Sequence, residues 1–230
     1  MRVSISGIQN EADLKLAVDA GTDAVGFLVG QIHQSTRFIL PSTAGRLANQ
    51  LPPYISPVLV THLNQVDEIA EIIDKSNINC VQLHGRTDFD EIKKLRDRFS
   101  EQLQIILGTY IVDQTNLDDL DDIYPFIDAV VIDCYNCEPA LIGLESNNCY
   151  MWAIGADFVR RSPVPVILAG GLSDENITAA ITKVKPYAVD ACSKLRRPED
   201  DQLIAERCQR YIYNAKMAGF AVSSDAKLFE

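Results

Sequence analysis

Apolar residues fall along this chain in short runs, and the stretches between them carry apolar positions three and four apart. The runs predict strands over 2–6, 23–29, 57–62, 78–83, 104–110, 127–133, 165–169 and 187–192. Amphipathic helices are expected between them, over Glu11 to Ala20, Val66 to Ser76, Phe89 to Phe99 and Asp174 to Lys183. Ile69, Ile72 and Ile73 show the spacing that one helix face requires. Strands rich in Val and Ile without polar alternation are buried on both faces, which implies a parallel sheet. Eight such β-then-α units in 230 residues predict an α/β protein, a single (β/α)8 TIM barrel over residues 1–230. The irregular stretches Gly30 to Leu40 and Cys134 to Tyr150 follow C-terminal strand ends, so they are expected to wall the site.

Composition narrows the function. The net charge of −11 disfavours nucleic acid and anionic membrane as partners, yet admits a small anionic substrate where basic residues gather locally. Asp118-Asp119 and Asp121-Asp122 read as solvated helix face. No apolar run is long enough to cross a bilayer, and Met1 to Ser6 reads as a strand rather than a signal segment. Six cysteines lack the density of a disulfide scaffold and read as reduced thiols. A cytoplasmic monomer or homodimer is expected, with no cofactor.

Two stretches near the C-terminus carry the strongest chemical signal. Ile167-Leu168-Ala169-Gly170-Gly171-Leu172 is an apolar run that stops at two glycines before a helix opening, Ser173 to Asn176. Tyr187-Ala188-Val189-Asp190-Ala191-Cys192-Ser193 is a second run ending in small and polar residues. Barrel strands that hold a phosphate end this way, because glycines let backbone N–H groups approach the anion. An ordinary strand-to-helix turn has the same local pattern.

With the barrel laid out, the motifs resemble those of the phosphoribosylanthranilate isomerase family over essentially the whole chain. Val81-Gln82-Leu83-His84-Gly85 matches its fourth-strand motif. Asp23 to Phe27 followed by Ser35-Thr36-Arg37-Phe38-Ile39 is similar to its second strand and arginine loop. Leu51-Pro52-Pro53, Ala169 to Leu172, Ala188-Val189-Asp190 and Trp152 also fit. The resemblance implies an isomerase of tryptophan biosynthesis that turns a phosphorylated aminoaldose into an aminoketose. It implies Asp133 as general acid, Arg37 as the clamp on the substrate's carboxylate, and Gly170, Gly171, Asp190 and Ser193 around the substrate and its phosphate. His84 joins this binding set, although packing at its strand end also accounts for it.

The chain departs from the pattern in three places. The family's first strand ends in Lys-Ile-Cys-Gly, whose cysteine is the general base; here Ser4-Ile5-Ser6-Gly7 stands there. The family's Asp-x-Ser-Ser-Gly after strand eight reads Asp190-Ala191-Cys192-Ser193-Lys194, so its glycine is lost. The glycine-rich loop before Trp152 is lost too.

The isomerisation needs an acid to protonate the ring oxygen and a base to take the proton beside the imine. Asp133 suits the acid role if burial raises its pKa. Ser6 lacks an anion near neutrality and needs a neighbouring base. Cys192, on the strand that neighbours the first in a closed barrel, is one replacement; simple packing is the alternative. Lys194, with Arg196 and Arg197, offers side-chain charge to a phosphate, or else forms an exposed basic helix start. Asp133, Cys134, Cys137, His62 and Cys192 would face one cavity, but Cys-x-x-Cys supplies only two ligands, and no metal is expected. His33 lies in the arginine loop, facing substrate or solvent. The missing thiol favours a diverged enzyme acting on a related anionic molecule. A true phosphoribosylanthranilate isomerase with a relocated base and a catalytically silent binding barrel are the other readings.

Overall fold

The computed structural model describes residues 1–31, 36–85, 88–110, 120–134 and 148–227, the side chains of 148–150 and 224–227 excepted. Eight strands run parallel: β1 (Arg2–Ser6), β2 (Ala24–Leu28), β3 (Ser56–Thr61), β4 (Cys80–Leu83), β5 (Gln104–Tyr110), β6 (Ala129–Asp133), β7 (Val166–Ala169) and β8 (Ala188–Ala191). They pair in chain order, and β1 pairs with β8 to close the cylinder, as the pattern predicts. Around them lie α1 (Glu11–Ala20), α2 (Pro41–Ala48), α3 (Val66–Ser76), α4 (Phe89–Phe99), α5 (Asn148–Arg161), α6 (Ile177–Val184) and α7 (Ala205–Lys227). Between β5 and β6 the described residues form only a short 3-10 turn, Tyr124–Phe126.

Alternation along each strand builds two cores. Outward residues such as Val3, Ile5, Phe27, Leu59, Val81, Leu107, Ile132 and Leu168 pack against the helices. Inward residues Val58, Val60, Cys80, Ile106, Ala129, Val131 and Ala169 fill the barrel. Toward the C-terminal ends the inward positions turn polar, at Ser6, Gln82, Asp133 and Asp190.

Local chemistry sets the element ends. Asn10 caps α1 by accepting from the Asp13 N–H at 2.9 Å, and Gly21 ends it at φ 90°. Asp23 and Asp128 stand just before β2 and β6, where each accepts a backbone N–H of the preceding strand, Val3 at 2.9 Å and Ile105 at 2.7 Å. Asp23-Ala24-Val25 and Asp128-Ala129-Val130 are thus the same short device used twice. Residues 174–176 form a turn, so α6 begins at Ile177 rather than at Asp174. There the Asn176 side chain accepts from the Ser173 N–H at 2.8 Å, and the Ser173 hydroxyl accepts from the Asn176 N–H at 3.3 Å. Asp121 and Asp122 are exposed in a turn, not on a helix; Asp118 and Asp119 lie outside the described residues.

Arg196 overturns the reading of residues 194–197 as one anion-binding cluster. Its side chain is buried and pairs with Asp13 at 3.1 Å, while it also donates to the carbonyls of Gly7 and Asp201. Arg197 pairs with Asp200 at 3.4 Å on the surface. Arg196 ties α1, the end of β1 and the loop after β8 into one unit. Arg196→Ala leaves Asp13 with an unmatched buried charge and is expected to cost about 3–5 kcal/mol in urea unfolding. Replacing both partners by apolar residues of similar volume should recover most of that loss.

Candidate active site

Ser6, Arg37, His84, Asp133, Gly170, Gly171, Asp190, Cys192, Ser193 and Lys194 line one cavity of about 750 Å³ at the C-terminal ends of the strands. That volume suits a small organic molecule, and this barrel face is the one that carries chemistry. All ten residues expected from the sequence therefore meet. Leu28, Gln31, Val60, His62, Gln82 and Tyr110 share the wall.

The first cluster surrounds His84. Gly108 faces it from β5, where an added Cβ would lie 3.0 Å from the His84 Cα and 2.8 Å from the Leu83 carbonyl oxygen. The Gln82 amide lies 3.0 Å from His84 Nδ1, and Asp133 lies 3.5 Å from Nε2. With the amide nitrogen donating to Nδ1, the ring hydrogen sits on Nε2 and faces the carboxylate. Tyr110 donates to the His84 carbonyl at 3.0 Å, and its ring meets the imidazole edge-on. Gln82 and Tyr110 escaped the sequence reading. A polar residue inside an otherwise apolar strand, two positions before His84, was the available signal for Gln82.

The second cluster joins β1 to β8. Their register sets Ser4 opposite Asp190, and the Ser6 hydroxyl donates to Asp190 Oδ1 at 2.8 Å. Gly26 stands opposite Ser6 and has to be bare, since a Cβ there would lie 2.2 Å from the Ser6 oxygen. Burial raises the Asp190 carboxyl above the usual carboxylate range. Hydrogen bonds from Ser4 and Ser6 and the field of His84 oppose that rise, and Asp133 adds to it.

The third cluster fixes Arg37. The Phe38–Leu28 bridge lays its loop along β2, and the Ile39 N–H donates to the Leu28 carbonyl at 3.0 Å. Arg37 grips Asp201 through Nε at 2.9 Å and Nη2 at 2.7 Å, and extends Nη1 to Ser193 Oγ at 3.0 Å. Burial would raise Asp201, but hydrogen bonds from Arg37, its charge, and Thr36 outweigh that and hold the carboxyl below the usual range. Nothing in the sequence pointed to Asp201, which reaches the arginine from a loop. Cys192 lies 3.8 Å from Arg37 Nη1 and packs on Gly7, where a Cβ would come within 2.8 Å of its sulfur. Burial pushes the Cys192 thiol up, against the pull of Arg37 and Arg196.

Gly170 and Gly171 turn the chain at φ 90° and 65°, in the left-handed region that favours glycine. The Asn176 amide donates to the Gly171 carbonyl at 2.9 Å and braces the turn. The metal suggestion loses a ligand: Cys134 packs in the outer core, away from the cavity, and burial pushes its thiol up to about 12. Among the described residues no group of three or more His, Cys, Asp or Glu side chains gathers around a metal position. Cys137 and His33 lie outside the described residues.

A closed (β/α)8 barrel with carboxyls, an imidazole and a guanidinium converging on its C-terminal rim is a barrel enzyme. Comparison narrows the class: the family described as N-(5'-phosphoribosyl)anthranilate (PRA) isomerase matches residues 3–195. The protein named N-(5'-phosphoribosyl)anthranilate isomerase 2 of Methanosarcina mazei is 35% identical over 196 residues, covering 85% of this chain and 86% of its own. The isomerase of Halorubrum lacusprofundi is 32% identical over 84% of this chain and 86% of its own. The solved phosphoribosylanthranilate isomerase of Thermotoga maritima superposes with a TM-score of 0.80 at 28% identity, covering 94% of this chain and 99% of its own. Another solved isomerase, with a TM-score of 0.77 at 27% identity over 94% of this chain and 99% of its own, is in complex with reduced 1-(o-carboxyphenylamino)-1-deoxyribulose 5-phosphate. The chain belongs to the phosphoribosylanthranilate isomerase family and is an isomerase.

The raised Asp190 carboxyl has a consequence for stability. Its protonated form is favoured in the folded state, so the stability it contributes is full below the unfolded pKa and is lost as pH rises through the folded one. Asp190→Asn removes that loss. Its melting temperature relative to the native protein should therefore rise from acid toward neutral pH, as followed by thermal unfolding over a pH series.

Proposed function

We propose that the chain catalyses the isomerisation of phosphoribosylanthranilate in tryptophan biosynthesis, in the cytoplasm, rather than a diverged reaction on a related molecule. The observation that carries the reading is the convergence of an acid position, an arginine and a glycine-pair turn on one cavity in a chain 35% identical to a named isomerase. The reading as a diverged enzyme rested on the missing thiol, whereas the relatives that this chain matches are named for the isomerase. A silent barrel would have no need to keep a carboxyl, an imidazole and an amide linked as Asp133, His84 and Gln82 are.

Substrate chemistry fits the three clusters. The ligand seen with the solved relative carries a carboxylate at one end and a phosphate at the other. Arg37 lines the cavity with its guanidinium held by Asp201 and Ser193, so a substrate carboxylate is met by an oriented cation. The Gly170–Gly171 turn, Ser193 and Lys194 form the phosphate end. Lys194 supplies charge where the family pattern has glycine. Asp133, 3.5 Å from His84 Nε2 at the end of β6, protonates the ring oxygen as the ring opens and leaves a protonated imine.

Purified protein is expected to turn over phosphoribosylanthranilate and to rescue a tryptophan auxotroph that lacks the isomerase. Asp133→Asn should lower kcat by roughly 10²–10⁴-fold; full activity in that variant would remove Asp133 from the acid role. Asp201→Ala should raise KM about tenfold with a smaller change in kcat, because Arg37 loses the partner that aims it. An unchanged KM in steady-state kinetics would mean that Asp201 does not set the arginine's aim.

A further inference from the structure

We propose that Asp190 is the base of this site, taking the place of the thiol that the family pattern puts on β1, with Ser6 as the residue that positions it. The inference rests on the isomerase reading above and concerns its second proton transfer.

Three observations carry it. Ser6 and Asp190 sit on hydrogen-bonded neighbouring strands and both face the cavity. The 2.8 Å bond between them puts a carboxylate oxygen within one hydrogen bond of the place where the resembling enzymes keep their base. The geometry around Ser6 serves this contact, since Gly26 leaves room on one side and Asp190 accepts the hydroxyl proton on the other. A hydroxyl here has too little base strength to act alone, whereas burial raises the Asp190 carboxyl and makes the carboxylate it holds a stronger base than an exposed one.

The nearby thiol is placed less well for the task. The Cys192 sulfur packs on Gly7 beside Arg37, and burial keeps its proton on. Asp190 is faced by Ser4 and Ser6 from β1, His84 beyond β4, Asp133 from β6 and Cys192 beyond its own strand, and it acts on the buried Tyr211 of α7. The two carboxyls of the cavity have different partners, hydroxyls for Asp190 and an imidazole for Asp133.

In the step itself, the C–H bond next to the protonated imine breaks and its proton passes to the Asp190 carboxylate. The C–H electron pair forms a carbon–carbon double bond, and the imine π pair moves onto nitrogen. The neutral Asp190 then returns its proton to the former imine carbon, while the enol hydroxyl gives its proton to the Asp133 carboxylate left by ring opening, so the ketone forms and both carboxyls regain their starting states. No net oxidation takes place and no co-reactant is consumed.

The test is the pH dependence of isomerase turnover in the native protein, Asp190→Asn and Ser6→Ala. Circular dichroism and binding of the reduced carboxyphenylamino-deoxyribulose phosphate check that each variant is folded with an intact cavity. Asp190→Asn should lose roughly 10²–10⁴-fold in kcat, together with the fall in rate on the acid side of the profile. Ser6→Ala should keep that acid limb but move it to higher pH by about one unit, because the carboxylate loses a charge-assisted hydrogen bond. A merely structural Ser6 would lower the rate without moving the limb, and that result would overturn its positioning role. If Asp190→Asn does not fold, an unmoved limb in Ser6→Ala overturns the proposal. An acid limb that persists in Asp190→Asn, or that vanishes in Cys192→Ser instead, overturns it while leaving the isomerase reading standing. Native protein that binds the analogue yet turns over no substrate overturns both.

Discussion

Eight parallel strands closed into a cylinder leave one place where side chains from different strands can meet both each other and a ligand: the C-terminal rim. Alternation decides which residues reach it. Below the rim the inward positions are Val58, Val60, Ile106 and Val131, which exclude water. At the rim the same parity delivers Ser6, His84, Asp133, Asp190 and Cys192 into one cavity. A shift of one residue in any strand would bury these groups among the helices and bring its outward hydrophobes into the pocket. The polar site exists because the apolar register beneath it is strictly kept.

The cavity sorts its charges through their neighbours. Asp201 holds Nε and Nη2 of the Arg37 guanidinium, while Nη1 donates to Ser193. His84 is held by an amide on one nitrogen and faces a carboxyl with the other. Asp190 is buried, which makes its charge costly, and the Ser4 and Ser6 hydroxyls offset part of that cost. Three side chains are thus oriented before any ligand arrives, so less of a substrate's binding energy goes into arranging them.

Much of this was legible in the residues. Runs of Val and Ile marked the strands because burial on both faces leaves little room for polar residues, and α1, α3 and α4 match their periodic segments from end to end. The glycine pair at 170–171 announced a turn that only glycine adopts easily. What could not be read were contacts that depend on pairing between distant elements. The Ser6–Asp190 bond needs the register of β1 on β8, and the Arg37–Asp201 pair joins two loops 164 residues apart. Arg196 was misread for the same reason. In a run of basic residues it looks like surface charge, and only the fold shows Asp13 waiting for it. Ser6 looked like a loss in the sequence because its carboxylate partner lies at the far end of the chain.

The β1–β8 seam also sets when the molecule becomes whole. Ser6 and Asp190 are 184 residues apart. At about 5–20 residues per second, a ribosome needs roughly 10–40 s to travel between them. Through that interval β1 has a bare edge, the kind of surface that recruits stray strands from other chains. The nascent protein is an open, curling sheet with a growing risk of mispairing. Its cavity is complete only when the last strand arrives to cover the first.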